Sequence, residues 1–147
     1  MNDMIQTLKY LQERAENIKH FSDALRDNLI KFQIELDSFS HAGVTAKGPV
    51  FYEVTESDFA YGEEWSWYFD KEGLWLRKVV GDDENAKLFS IRDAPRRVLV
   101  RGIKHLVEFL EVLKKEFDKK ERELGEAFAI SNKIAAVLDA IVPEDVD

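Results

Sequence analysis

The chain contains no cysteine. Disulfide staples, thiolate nucleophiles and cysteine-ligated metals are therefore excluded, and packing and polar contacts must hold the fold. Histidine is scarce as well, with only His20, His41 and His105. Glu16 with His20, and His105 with Glu108, lie one helical turn apart, but neither pair completes a ligand set, and no Glu-x-x-His occurs. The oxygen-rich Asp82-Asp83-Glu84-Asn85 lacks the alternation of a calcium loop and reads as a hairpin turn. No metal and no cofactor is expected.

Gly-x-Ser-x-Gly and Gly-rich phosphate loops are also missing. Glu63 and Glu64 are the carboxylates nearest the tryptophans, but neighbours on a strand point to opposite faces and do not converge on one substrate. A non-enzymatic role is expected. No apolar run reaches the roughly 18 to 20 residues that span a bilayer. The start, Met1 to Thr7, lacks the basic and apolar segments of a signal peptide, so a cytoplasmic protein is expected.

Basic charge is in deficit, with 21 Lys and Arg against 29 Asp and Glu. The deficit is uneven: residues 1–40 carry −2, residues 41–91 carry −5 and residues 92–147 carry −1. The middle third is thus a poor platform for nucleic acid, whose phosphates need a basic field. Nucleic acid is not the expected partner, and neither is a membrane.

All three tryptophans lie in the stretch 63–80, in which Asp70-Lys71-Glu72-Gly73 carries the residues of a type I turn. A left-handed Gly73 forming a bulge would set Phe69 opposite Trp75 and Trp67 opposite Arg77. That register places Trp65, Trp67, Phe69, Trp75, Arg77 and Val79 on one face, with Arg77 able to lie over Trp67. Tyr68, Leu74, Leu76 and Lys78 then share the other face with Ser66. The aromatic face is expected to meet the helices, which leaves Tyr68, Leu74, Leu76 and Lys78 as the candidate partner-binding set. Flanking strands are expected at 50–55 and 87–91, completing an antiparallel meander of three or four strands, with 38–49 as a loop.

No glycine or proline occurs before Gly43. Across 3–39 the residues Met4, Leu8, Leu11, Ala15, Ile18, Ser22, Leu25, Leu29, Phe32, Leu36 and Phe39 recur in steps of four and three, the heptad seam of a coiled coil or bundle helix. Such a helix is on the order of 55 Å long, more than a small domain can cover, so Leu8, Leu11, Ile18, Leu25 and Leu29 are the candidate oligomer interface. Asp93, followed by Pro95, reads as an N-cap. From there Leu99, Ile103, Leu106, Leu110, Leu113 and Phe117 keep the same spacing, and Leu124, Ile134, Leu138 and Ile141 continue it. Between them, Lys114 to Glu126 is a highly charged stretch, and Gly125 is the expected break. Two C-terminal helices follow, 94–123 and 126–142.

The chain therefore reads as a single α+β domain over 1–147: a long N-terminal helix, a meander over 49–91 and two C-terminal helices, the helical parts forming a bundle or a coiled-coil dimer. The expected function is a self-associating protein-interaction module, an adaptor or regulator that dimerises and binds another protein. Two alternatives accompany it. Arg92, Arg96, Arg97, Arg101 and Lys104 at the start of the second helix could bind an anion or nucleic acid, or could pair with Asp82, Asp83 and Glu84. A pocket between sheet and helices could take an apolar small molecule.

Overall fold

The computed structural model describes residues 2–53, 62–80 and 86–141. Helix α1 (Asn2–Asp37) is followed by a short 3-10 turn at Ser40–Ala42 and by strands β1 (Ala46–Lys47) and β2 (Phe51–Glu53). The hairpin β3 (Glu63–Asp70) and β4 (Gly73–Val80), strand β5 (Lys87–Phe89) and helix α2 (Arg96–Ile141) are the remaining described elements. The five strands form one sheet in the order β1-β3-β4-β5, with β2 also pairing β3, and every pairing is antiparallel. The class is α+β, with two α-helices rather than three and five strands rather than three or four among the described residues.

The expected break at Gly125 is absent, and α2 runs unbroken for 46 residues. Gly125 has ordinary helical backbone, since positive φ is confined among the described residues to Gly43 and Gly73. An interior glycine costs a helix only about 1 kcal/mol relative to alanine. Nor does Asp93 cap the helix. It folds back on Ser90, whose hydroxyl donates to Asp93 Oδ2 at 3.1 Å, while the Leu99 N–H bonds the Pro95 carbonyl as the first turn begins.

The hairpin turns where expected but in a register shifted by one residue: Asp70 faces Gly73, Phe69 faces Leu74 and Trp67 faces Leu76. Part of the cause lies 37 positions earlier, where Asp37 Oδ1 accepts the Leu74 N–H at 2.8 Å and holds the start of β4 against the end of α1. Gly73 has φ +123°, and a Cβ there would collide with the Asp37 carboxylate, so only glycine fits. The shift exchanges one strand's faces. Trp65, Trp67, Phe69, Leu74 and Leu76 share the covered face, each at most 1% exposed. Trp75 and Arg77 move to the other face, with Ser66 and Tyr68. Arg77 thus cannot lie over Trp67. Instead Lys78 lies 5.7 Å from the Trp65 ring centre.

Both helices meet the covered face. One apolar cluster joins Leu29 and Leu36 of α1, the covered strand residues, and Val98, Leu99, Leu106, Phe109 and Leu113 of α2. Trp67 Nε1 donates to the Gly102 carbonyl at 2.8 Å, tying the central tryptophan to α2. A Cβ at Gly102 would stand 3.1 Å from the Phe51 ring, so this glycine permits the close approach of helix and sheet.

The helices cross the sheet in the same direction. Arg26 of α1 donates to the carbonyls of Ile91, Arg92 and Ala94, just ahead of α2. Beyond the far end of α1, Phe39 lies beside Leu113 and Phe117 of α2. The remainder of α1 therefore leaves the body at one end and the remainder of α2 at the other. No helix among the described residues is long and apolar enough to cross a membrane.

Candidate functional site

Three surfaces stand out, and the largest is the pair of projecting arms. In α1, residues 2–21 are exposed save for half-exposed Asn17, and in α2 every residue of 121–141 is exposed. Each arm is about 30 Å long. Along the α1 arm Met4, Leu8, Leu11, Ile18 and Phe21 are between 54% and 68% exposed. Along the α2 arm Leu124, Phe128, Ile134, Leu138 and Ile141 are between 55% and 66% exposed. Apolar stripes of this extent mark interaction surfaces. The heptad seam is thus divided: Leu8, Leu11 and Ile18 of the expected interface lie on the arm, whereas Leu29 is buried in the chain's own core and Leu25 packs against it.

The second surface is a groove of about 840 Å³ at the end of the body where α2 begins. Arg96, Arg97, Arg101 and Lys104 line it with His105 of the same helix, and Val50, Phe51 and Tyr52 stand on the strand side. Four of the five expected cations are therefore gathered on one wall. Arg92 does not line the groove, and its carbonyl accepts from Arg26. The strand side carries Phe51, on which the His105 ring of α2 stacks at 5.1 Å, and an exposed Tyr52. His105 follows Arg97 and Arg101 at helical steps of four on α2, whereas no local pattern linked Tyr52 to the arginines, because a strand some 50 residues earlier brings it there.

Beside the groove, Glu63 is a carboxylate only 6% exposed. It accepts from Trp65 Nε1 at 3.0 Å and from Arg97 Nη2 at 2.9 Å, and Lys78 Nζ stands 3.4 Å away. Burial pushes its pKa up, but the Trp65 N–H, Lys78 and Arg97 outweigh that and hold the carboxyl below the usual glutamate range. The arginine cluster thus has an acid partner at Glu63. Asp82, Asp83 and Glu84, named above as possible partners, lie outside the described residues.

The third surface is the uncovered face of the sheet, where Tyr68, Trp75, Arg77 and Val79 are half-buried and Leu88 is exposed. The expected partner-binding set does not assemble there. Leu74 and Leu76 are core residues at 0% exposure, Lys78 is on the covered side, and Tyr68 alone of the four faces outward. Under the centre of the covered face Trp65, Trp67 and Phe69 fill the space between sheet and helices, and the cleft between β2 and α2 is the groove with the cationic wall. An apolar hollow of about 790 Å³ occurs instead beside α2, lined by Ala42, Val44, Phe117, Leu124 and Phe128 among others. Among the described residues no three His, Asp or Glu converge as a metal site. No family model, curated protein or solved structure matches the chain.

Proposed function

We propose that this protein is a non-enzymatic, self-associating interaction module, an adaptor or regulator that acts through its helical arms. One observation carries the reading: two arms of about 30 Å project from a well-packed body with apolar seams open to water. A helix of some 20 residues is marginal in isolation and gains most of its stability from packing its apolar face. The arms are therefore built for a partner helix, and heptad spacing suits a coiled-coil partner best. Sedimentation equilibrium at micromolar concentration tests the proposal. A species larger than 17.1 kDa whose mass falls on dilution is expected, and a monomer throughout overturns it.

A second reading concerns the groove, and its support is the alignment of Arg96, Arg97, Arg101 and Lys104 along one wall opposite an exposed tyrosine ring. That combination suits an anionic ligand with a flat or apolar portion. Binding of a fluorescent polyphosphate probe should weaken steeply with salt. The double variant Arg96→Glu, Lys104→Glu should abolish it, and unchanged affinity rejects the reading. These two positions are chosen because Arg97 also holds Glu63.

A further inference from the structure

The two arms carry matching seams but leave the body at opposite ends, so within one chain they cannot cover each other. A second copy removes that obstacle if it lies beside the first and inverted, because each α1 arm then runs alongside the partner's α2 arm. We infer that the protein forms such a two-fold dimer, in which the arms pair antiparallel and reciprocally, α1 on α2 of the other copy. This inference rests on the self-association proposed above and names its geometry. The contact is isologous and closes on itself, giving a dimer rather than a filament.

The register follows from where the arms begin. Ser22 marks where α1 enters the body, and Lys120 is the last residue of α2 that is not fully exposed. Bodies side by side and inverted bring these two roots level, setting Ser22 opposite Lys120. Antiparallel pairing from that point places Ile18 opposite Leu124, Ala15 opposite Ala127 and Leu8 opposite Ile134. Of the four successive seam layers from Ile18 to Leu8, three pair residues of like size. Leu11 against Ser131 is a layer of unequal size. At the root of the α2 arm the pairing also has a receptacle: the hollow of about 790 Å³ lined by Leu124, Phe117 and Val44. The partner's Ile18 enters it.

The absence of native cysteine makes a direct test possible. Ala15→Cys and Ala127→Cys are single changes at exposed positions, and circular dichroism confirms that each variant keeps its helix content. The variants are oxidised separately and as an equimolar mixture. The inference expects a disulfide-linked dimer in the mixture, at least tenfold more abundant than in either variant alone. The doubly substituted chain should form a dimer closed by two bridges. A dimer by sedimentation that crosslinks through Ala15→Cys alone, through Ala127→Cys alone or in no combination overturns the arm exchange and leaves self-association standing. A monomer at every concentration, with no crosslink, overturns both.

Discussion

Leu29 and Leu8 occupy the same seam of the same helix, yet Leu29 is 3% exposed and Leu8 is 60% exposed. The body surrounds Leu29 with a sheet and a second helix, and its aromatic side chains have found their partners. On the α1 arm no described residue covers Leu8. The same heptad spacing thus serves two purposes, intrachain core at one end and open surface at the other. Core and arm should therefore differ in how mutations and dilution affect them.

The sharpest division should come from the centre of the body. Trp67 is fully buried and its indole N–H is bonded to Gly102. Replacing it by alanine removes a large side chain and leaves a cavity, so Trp67→Ala should cost about 3–5 kcal/mol in urea unfolding. The loss should be independent of protein concentration. A loss below about 1 kcal/mol would show that the body does not depend on this helix–sheet contact.

Leu29→Ala and Leu8→Ala set the two ends of one helix directly against each other. Leu29→Ala should destabilise the fold by about 2–5 kcal/mol at any concentration. Leu8→Ala should leave the dilute protein's stability within about 0.5 kcal/mol of the parent, and its effect should appear as weaker association in sedimentation. Equal, concentration-independent losses for both would erase the distinction between core and arm. A charge introduced at Leu29 is no test of association, because at this buried position it would unfold the body first.

Some of this was legible in the residues and some was not, for identifiable reasons. The long N-terminal helix, the position of the turn at Asp70 to Gly73 and the segregated α+β order follow from local spacing and turn chemistry, whereas the single C-terminal helix reads as two because Gly125 looks like a break. The one-residue register was hidden because Asp37, distant in sequence, holds the Leu74 N–H. Strand β1 was hidden in a stretch that reads as a loop, since two residues paired to Phe69 and Tyr68 leave no periodic trace. The arginine cluster, with His105 four residues after Arg101, was legible from helical spacing, but the facing Tyr52 of β2 was not. Seam spacing revealed where apolar stripes run and was silent on which parts the chain covers itself.

Glu63 gives a smaller, pH-dependent contrast, since this network belongs to the body and has no counterpart shown on the arms. Glu63→Gln keeps the shape but removes the charge that Arg97 and Lys78 meet, and should cost about 1–3 kcal/mol near neutrality. Because the folded pKa lies below its ordinary value, the stabilisation is fully present above the unfolded value of about 4.3. It is lost as pH falls through the folded pKa. Urea midpoints of parent and variant should therefore differ at pH 7 and converge as the pH drops below that value. A gap that persists or widens in acid would assign Glu63 a role other than its charge.

The smallest expected effect carries the opposite sign and lies on the arm. Gly125 sits within α2, at ordinary helical φ, with nothing within 4 Å of where a Cβ would project. Gly125→Ala thus meets no clash and removes the extra freedom of glycine in the unfolded chain. It should stabilise the α2 arm by about 0.5–1 kcal/mol, seen as higher helicity and slower amide exchange over 121–141 in dilute protein. The body's urea midpoint should hardly move, because residues 121–141 are exposed and the buried positions of α2 end at Leu113. If association strengthens by the same increment, the arm is a helix whose stability contributes directly to pairing. If helicity rises while association weakens, residue 125 needs the room or the flexibility that glycine leaves, and a closely approaching helix at the root of the α2 arm is the physical reason to expect that.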